Sequence, residues 1–404
     1  MLDDRAWDPP DRWIVAQNNL ERLRLAMREK GLDALFLNRS DAVRYVAGTI
    51  PSDNLIFSQR VACLVLADKP EPILFAQSHA ADFLRNHFWI SDIRPLPRLQ
   101  DSWPALVEQT LKDYGLDAKA SLIGLDPTME AYPFELLRQH FPKASCLEAA
   151  KVLARCRAIK SAAEQSCIEH ACIIGEMAID VGARMLQIGV TEIELAAEMS
   201  RVSIAAGAEG LYARRGTAVT SGTKMARHDE TPSRRRLRYG DFVLIDVGPI
   251  IAGYYTDFAR TIAVGMPSQK ARRAYSVAYD AMQLALELFK PGEEGAPIAR
   301  RIVKYIGSEF PEAHASGLTF VAHGVGTASQ EAPYFVPAET TARAEGFERL
   351  EPGMVLSLSV GVYDGQDIGC RQEEVVTITQ DGNTVLSRSP YYGFQEVYLA
   401  DGQH

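Results

Sequence analysis

The stretch LIDVGPIIAGYYTDFARTI, residues 244–262, places two aspartates eleven residues apart in an otherwise apolar, β-prone segment. Asp246 and Asp257 interrupt two runs that have the composition of neighbouring antiparallel strands. If the two aspartates pair, the register implies Gly248 with Tyr255, Ile250 with Gly253, and a turn at Ile251 and Ala252. The segment therefore predicts a hairpin that carries an acid on each strand.

Paired residues on neighbouring strands point to the same face, with Cβ atoms about 5 Å apart. Two carboxylates at that distance repel each other unless a proton or a cation lies between them. A metal ion is the natural reason for the arrangement of Asp246 and Asp257. The alternative is that one aspartate is a turn or edge residue and that the register is shifted.

Two later segments offer further candidate ligands. His323 ends a short apolar strand in FVAHGVGTASQEAPYF, residues 320–335. Glu373 begins a β-branched strand in IGCRQEEVVTIT, residues 368–379. An isolated histidine at a strand end is more often a packed core residue. Carboxylates together with one imidazole nevertheless suit Mn(II), Fe(II), Co(II) or Zn(II).

Composition limits the class of protein. A formal charge of -9 argues against nucleic-acid binding, which needs a basic face. The sequence contains no run of about 18 apolar residues, and therefore no membrane span is predicted. The acidic start MLDDRAWDPPDRW has no signal-peptide pattern, and the six cysteines lack metal-ligand spacing. These features predict a cytoplasmic protein with reduced thiols.

The 404 residues divide near residue 155. Residues 1–155 alternate helical and strand patterns, which predicts a smaller α/β domain. Residues 156–404 contain two sets of long helices separated by strand-rich blocks, which predicts an α+β domain. Within it, Thr191 and Glu194 form a predicted capping box at the start of a helix.

The motifs DVG, YYTDFART, HGVG, EPGMV and RQEE occur in an order that resembles the creatinase / aminopeptidase P / Xaa-Pro dipeptidase family. The resemblance covers nearly the whole chain and implies a pita-bread catalytic domain behind the smaller α/β domain. Metallopeptidases of this family hold a pair of divalent ions with two aspartates, one histidine and two glutamates. By motif position, the metal ligands here would be Asp246, Asp257, His323 and Glu373.

This sequence departs from the family pattern at three positions. Ser359, in LSLSVGVY, stands where the family carries the other metal-binding glutamate, so four ligands would hold one ion or none. Gln330 replaces a second histidine that contacts substrate. In ARHDETP, His228 lies four residues before the proline instead of three. A one-residue bulge would return His228 to the site as a catalytic residue, and otherwise Asp229 occupies that place.

The resemblance implies further functional residues. Glu373 would be catalytic as well as a ligand, and Arg371 of the RQEE motif would bind substrate together with Gln330. Arg60 matches an arginine of the N-terminal domain that reaches the active site of the partner subunit, which implies a homodimer. A guanidinium group suits a substrate carboxylate. Arg60 as an exposed loop residue is the alternative.

Three hypotheses for function follow. The first is a hydrolase of the Xaa-Pro dipeptidase or aminopeptidase P type with a reduced metal site, acting on a small amide or dipeptide. The second is a creatinase-like, metal-independent hydrolase or lyase of a small nitrogenous compound. It is favoured by the changes at Ser359, Gln330 and Ala259, although Ala259 and Ser359 stand where creatinase carries active-site glutamates. The third is a non-catalytic binding protein, because fold alone does not decide function.

Overall fold

The structure is a computed structural model. It describes residues 10–48, 61–76, 78–96, 102–126, 129–212, 217–227, 231–313, 321–337 and 347–393. The chain forms two compact units, Met1–Arg157 and Ala158–His404. Each unit has its own sheets, and each is described separately below.

The described residues of the first unit form one mixed five-stranded sheet and six α-helices. The helices are α1 (Arg12–Glu29), α2 (Ser40–Ala47), α3 (Ser78–His87), α4 (Trp103–Asp113), α5 (Ala131–His140) and α6 (Cys146–Ala158). The strands are β1 (Ala34–Leu37), β2 (Val61–Leu66), β3 (Ile73–Ala76), β4 (Ile93–Pro95) and β5 (Ile123–Leu125). Their order in the sheet is β4-β3-β2-β1-β5, with β3–β4 and β1–β5 parallel and the other two pairs antiparallel.

Local sequence signals account for the start of this unit. The Asp11 side chain accepts a hydrogen bond from the Trp13 backbone N–H and caps α1. The helix ends just before Gly31, whose φ of 67° suits a residue without a side chain. On one face of the sheet, Phe36 and Phe75 are buried against the edge of the Trp103 ring. This aromatic packing is worth more than its buried area alone.

The part of the second unit that the structure describes forms four α-helices and three antiparallel sheets. The helices are α7 (Ala162–Met185), α8 (Glu192–Ala205), α9 (Gln269–Leu288) and α10 (Gly295–Glu309), with a 3-10 helix over Gly222–Arg227. The strands of the two smaller sheets are β6 (Gly210–Leu211), β7 (Ala218–Ser221), β8 (Phe242–Val247), β9 (Pro249–Ile251), β10 (Tyr254–Tyr255) and β11 (Phe258–Ala263). The strands of the larger sheet are β12 (Ala322–Gly324), β13 (Glu331–Phe335), β14 (Val355–Tyr363), β15 (Gly369–Ile378) and β16 (Asn383–Val385).

The sheets of this unit have the orders β10-β9-β6, β11-β8-β7 and β13-β12-β14-β15-β16. Strands β8, β11 and β14 are buried along their whole length, and β15 is buried except at Arg371. The predicted capping box of α8 is confirmed, because the Thr191 hydroxyl accepts from the Glu194 N–H and the Glu194 carboxylate accepts from the Thr191 N–H. Because the strands β8, β11, β14 and β15 are mostly buried, each polar side chain inside them needs a hydrogen-bond partner or a function.

Among the described residues, no helix combines the length and the apolar character that a membrane span requires.

Candidate functional site

The two aspartates lie on the sheet β11-β8-β7. Asp246, in β8, has Ala218 of β7 and Ala259 of β11 as its cross-strand neighbours. Asp257 lies directly before β11, and both aspartates are buried. The predicted register, which paired Asp246 with Asp257, is therefore wrong. Asp246 pairs with Ala259, two residues further along the chain.

The turn of the hairpin explains the error. Ile251 pairs with Tyr254, so the turn consists of Ala252 and Gly253, one residue later than predicted. Both turn residues have positive φ, 50° and 83°, as a two-residue type I′ turn requires. Moving the turn by one residue shifts the pairing by two residues, which leaves Asp257 on the same face as Asp246. The aspartates are thus diagonal neighbours on one face.

A third carboxylate joins them from a different sheet. Glu373, in β15, offers an oxygen that lies within 4.8 Å of ligand oxygens of both Asp246 and Asp257. Its side chain is also buried. Three buried carboxylates at this separation repel one another, and that repulsion favours binding of a cation.

Arg371 supplies part of the compensating charge. Its guanidinium group donates to the Asp246 carboxylate, and its Nε lies 3.3 Å from Glu373 Oε1. The guanidinium group of Arg371 thus contacts two of the candidate metal ligands, and substrate binding by Arg371 stays a prediction. With three carboxylates and one guanidinium, the cluster keeps a formal charge of -2, counted from these four side chains. One divalent cation would balance that charge.

His323 lies beside Asp257 at the edge of the cluster. Its Nδ1 is 3.0 Å from the carbonyl oxygen of Gly324, which can only accept, so Nδ1 carries the proton. Its Nε2 lies 3.5 Å from Asp257 Oδ2. Burial lowers the pKa of His323 to about 4, although the Gly324 hydrogen bond and the charge of Glu331 act in the opposite direction. The ring is therefore neutral near pH 7, the state in which imidazole binds a metal.

Ser359 takes the place next to Glu373. The two residues are cross-strand partners on β14 and β15, and Ser359 Oγ donates to Glu373 Oε1 at 2.7 Å. The Ser359 hydroxyl and the positive charge of Arg371, whose Nε lies 3.3 Å from the same oxygen, both act on the Glu373 carboxylate. A serine hydroxyl adds no negative charge here, whereas a glutamate would bring the cluster to four carboxylates.

The structure contains a buried ion pair near His323 that the sequence did not predict. Lys160 Nζ lies 3.0 Å from Glu331 Oε1, and the two side chains are 1% and 5% exposed. Glu331 pairs with Gly324, the neighbour of His323, and its other oxygen accepts from the Ala328 N–H. The available signals were an acid directly after Gln330 and a lysine in the motif CRAIKSAAEQ.

Four other residues singled out in the sequence have different outcomes. Gln330 is an exposed residue just before β13. His228, Asp229 and Arg60 lie outside the described residues. Substrate binding by Gln330 and Arg60, and catalysis by His228, stay predictions.

Comparison with known proteins gives matches along most of the chain. Residues 166–380 match the profile of metallopeptidase family M24, and residues 19–159 match the creatinase/prolidase N-terminal domain. The Xaa-Pro dipeptidase of Pyrococcus furiosus is 27% identical over 379 residues, which cover 92% of this chain and 98% of that protein. The Xaa-Pro dipeptidase of Lactobacillus helveticus is 26% identical over 369 residues, which cover 90% and 95%.

The solved structure of the prolidase from Pyrococcus furiosus superposes with a TM-score of 0.73 at 25% identity, covering 91% of this chain and 99% of that one. The predicted fold class is thereby confirmed as α+β, with a pita-bread catalytic domain preceded by a smaller α/β N-terminal domain. The boundary after residue 155 stays a prediction.

Proposed function

Because this chain belongs to metallopeptidase family M24, as the order of its motifs implied, we propose that it hydrolyses the C–N bond of a small amide or Xaa-Pro dipeptide with a reduced, one-ion metal site. The family uses divalent metal ions, and the relatives named above are Xaa-Pro dipeptidases. The observation that carries the proposal is the cluster of Asp246, Asp257 and Glu373 beside His323, with Ser359 in place of a further acid.

The donor set fits one divalent ion. Three carboxylate oxygens from Asp246, Asp257 and Glu373 form its centre, and the neutral imidazole of His323 lies at its edge. Such a set suits Mn(II), Fe(II), Co(II) or Zn(II). One divalent ion would neutralise the formal charge of -2, whereas a second ion would bring an excess of positive charge into a buried site.

A divalent ion bound there would polarise the scissile carbonyl and make a water molecule more acidic. The chain itself would supply orientation and proton transfer. Glu373 is proposed to accept a proton from the attacking water, since the Ser359 hydroxyl and the positive charge of Arg371 both act on its carboxylate. Arg371 would also limit the repulsion between Asp246 and Glu373 when no cation is present.

Substrate binding, assembly and location belong to the same proposal. We propose that the chain acts as a homodimer in which Arg60 binds the substrate carboxylate in the partner subunit's site, while Gln330 takes the place of a substrate-binding histidine. His228 would serve as a further catalytic group. None of the six cysteines, all of them among the described residues, forms a disulfide, which supports a reducing, cytoplasmic location.

A second candidate is supported by the hydrogen bond between Ser359 and Glu373. That contact gives Glu373 Oε1 a partner from the chain itself, as a site adapted to work without a metal would require. A creatinase-like hydrolase or lyase of a small nitrogenous compound would use the same pocket with Glu373 as its base and with no ion.

The deciding experiment measures metal content and activity together. Protein purified without chelator is dialysed, its ions are counted by elemental analysis, and Xaa-Pro dipeptides are assayed with Mn(II). We expect about one ion per chain and slow cleavage. Asp257→Asn should lose the ion, whereas Asp180→Asn, at an exposed position on α7, should keep it.

Two ions held at full occupancy would contradict the one-ion site, and brisk dipeptide cleavage would contradict the reduced activity. Turnover of a guanidino compound by metal-free protein would favour the second candidate. A chain that retains no ion and cleaves neither class of substrate would contradict both.

A further inference from the structure

The candidate site draws its residues from two different sheets. Asp246 belongs to the sheet β11-β8-β7 and Asp257 directly precedes its strand β11, whereas His323 and Glu373 belong to the sheet that contains β12 and β15. Backbone hydrogen bonds fix distances within each sheet. In the described part of the chain, no strand pairing connects β11 with β15, so other contacts must set the distance between the two halves.

The open edge of β15 shows where those contacts are. Strand β16 pairs only with the last three residues of β15, Val376 to Ile378. At residue 371 the edge is instead bonded by Thr261 of β11. Its Oγ1 accepts from the Arg371 N–H at 3.0 Å and donates to the Arg371 carbonyl oxygen at 2.8 Å. One hydroxyl therefore replaces a pair of ladder hydrogen bonds.

Arg260, the neighbour of Thr261 on β11, bonds the same edge two residues further along. Its Nη1 donates to the carbonyl oxygen of Glu373 at 2.5 Å and to that of Ala259 at 3.0 Å. Its Nη2 donates to Glu374 and to the Ser389 carbonyl oxygen, both at 2.7 Å, and its Nε also reaches Ser389. Each of the five guanidinium N–H groups thus has an acceptor, and the side chain is fully buried.

We propose that Arg260 and Thr261 form an inter-sheet clamp that sets the distance between Asp257 and Glu373, and that both are positioning residues for the metal site. Asp257 lies three residues before Arg260 on the same segment, and Glu373 receives the Arg260 hydrogen bond on its own backbone. The inference rests on the proposed function only in identifying the ligand as a divalent ion.

The rigidity of the clamp follows from its chemistry. A planar guanidinium group that donates in several fixed directions holds both strands at one spacing, which a lysine does not do. Groups that orient metal ligands typically change metal affinity by about 10- to 100-fold when they are replaced. Loss of the clamp should therefore weaken metal binding even though neither residue contacts the metal.

Thr261→Val is the most informative substitution because it keeps the size of the side chain and removes both hydrogen bonds to Arg371. Thr261→Ser keeps the hydroxyl and should behave like the parent protein. Thr377→Val is the matched control, since Thr377 lies on β15, the strand of Arg371, and its hydroxyl bonds Gln165 of α7 instead of β11.

The experiment uses the full chain and two measurements. Isothermal titration with Mn(II) gives the dissociation constant of the chelator-treated protein. Amide hydrogen exchange of the metal-free protein gives the opening of residues 256–260 and 373–376. We expect Thr261→Val to weaken Mn(II) binding about tenfold and to speed exchange in both segments. Thr261→Ser and Thr377→Val should stay within twofold of the parent for both measurements.

If the parent binds no Mn(II) while exchange still responds to Thr261→Val, the metal site of the proposed function is wrong and the clamp is supported. If Thr261→Val leaves the exchange of both segments at parental rates, the clamp is overturned, whatever the metal affinity. A loss of Mn(II) affinity as large in Thr377→Val as in Thr261→Val would also overturn it.

Discussion

Two adjacent glutamates on β15 face opposite sides of the strand and have different surroundings. Glu373 and Glu374 are 6% and 3% exposed, so burial does not distinguish them. Glu374 accepts from Arg260 and from the Ser387 hydroxyl. Glu373 points instead towards two other acids, and the guanidinium group of Arg371 is shared with Asp246.

Charge balance, and not burial, therefore distinguishes the structural acid Glu374 from the candidate functional acid Glu373. The pair of Arg260 and Glu374 is neutral and has well-formed hydrogen bonds, so it needs no ligand. The cluster that contains Glu373 carries excess negative charge in a buried place, and such an arrangement is characteristic of sites that bind a cation or move protons.

The largest expected effect comes from breaking the balanced pair. Arg260→Met leaves Glu374 buried without its cation and should lower the free energy of unfolding by about 3–5 kcal/mol. Urea unfolding of the metal-free protein measures the change. Adding Glu374→Met to the same chain should recover part of the loss, because both charges are then gone. A loss below about 1 kcal/mol for Arg260→Met would contradict the importance of balance.

Adding charge to the unbalanced cluster should give the next effect. Ser359→Glu introduces a fourth carboxylate and should lower the stability of the metal-free protein by about 2–3 kcal/mol. Thermal melting with excess Mn(II) should reverse the loss, and titration should reveal a second ion. Ser359→Gln has the same size without the charge and should not respond to Mn(II). If Ser359→Glu behaves like Ser359→Gln, the pocket has been rebuilt and the family's second metal position is gone.

Asp364, at the turn between β14 and β15, is another acid with compensating partners, and the pH dependence of stability tests its contribution. Burial opposes ionisation of Asp364, but hydrogen bonds from Lys270 and from three backbone N–H groups outweigh it and lower its pKa to about 2. The ordinary value is 3.8, so its contribution is present above pH 3.8 and is lost as pH falls through 2. That contribution is at most about 2 kcal/mol, because the Lys270 side chain is 43% exposed and water screens its charge.

Comparing Asp364→Asn with the parent protein in acid measures this contribution. The variant should be less stable at pH 6 and should lose less of its stability between pH 4 and pH 2. Equal slopes of stability against pH for the two proteins would show that the ionisation of Asp364 is not linked to folding.

The smallest effect has the opposite sign. Glu373→Gln removes one of three repelling charges, while its amide oxygen can still accept from the Ser359 hydroxyl. The metal-free variant should gain about 1 kcal/mol, because one source of like-charge repulsion in the cluster is removed. Mn(II) binding should weaken at least about tenfold. Glu374→Gln is the matched control and should lose stability. A loss of stability in both variants would contradict the difference in charge balance between Glu373 and Glu374.

Local patterns gave much of the fold. The amphipathic run that forms α1, the strand β1 after Gly31 and the capping box of Thr191 and Glu194 depend on neighbours within a few residues, so they can be predicted from the sequence. The order of motifs indicated the family and the fold, and acids placed among buried, apolar residues marked Asp246, Asp257 and Glu373 as candidates. The functional roles of these residues stay proposals.

The structure decided what depends on contacts between distant segments. The register of Asp246 was set by which residues take positive φ, and Ala252 with Gly253 did so instead of Ile251 with Ala252. Lys160 and Glu331 are 171 residues apart, and Arg260 lies 113 residues before Glu373. Periodicity carries no information about such pairs. A sequence pattern shows which side chains are buried, whereas only the packing of strands from two sheets decides which buried charges meet.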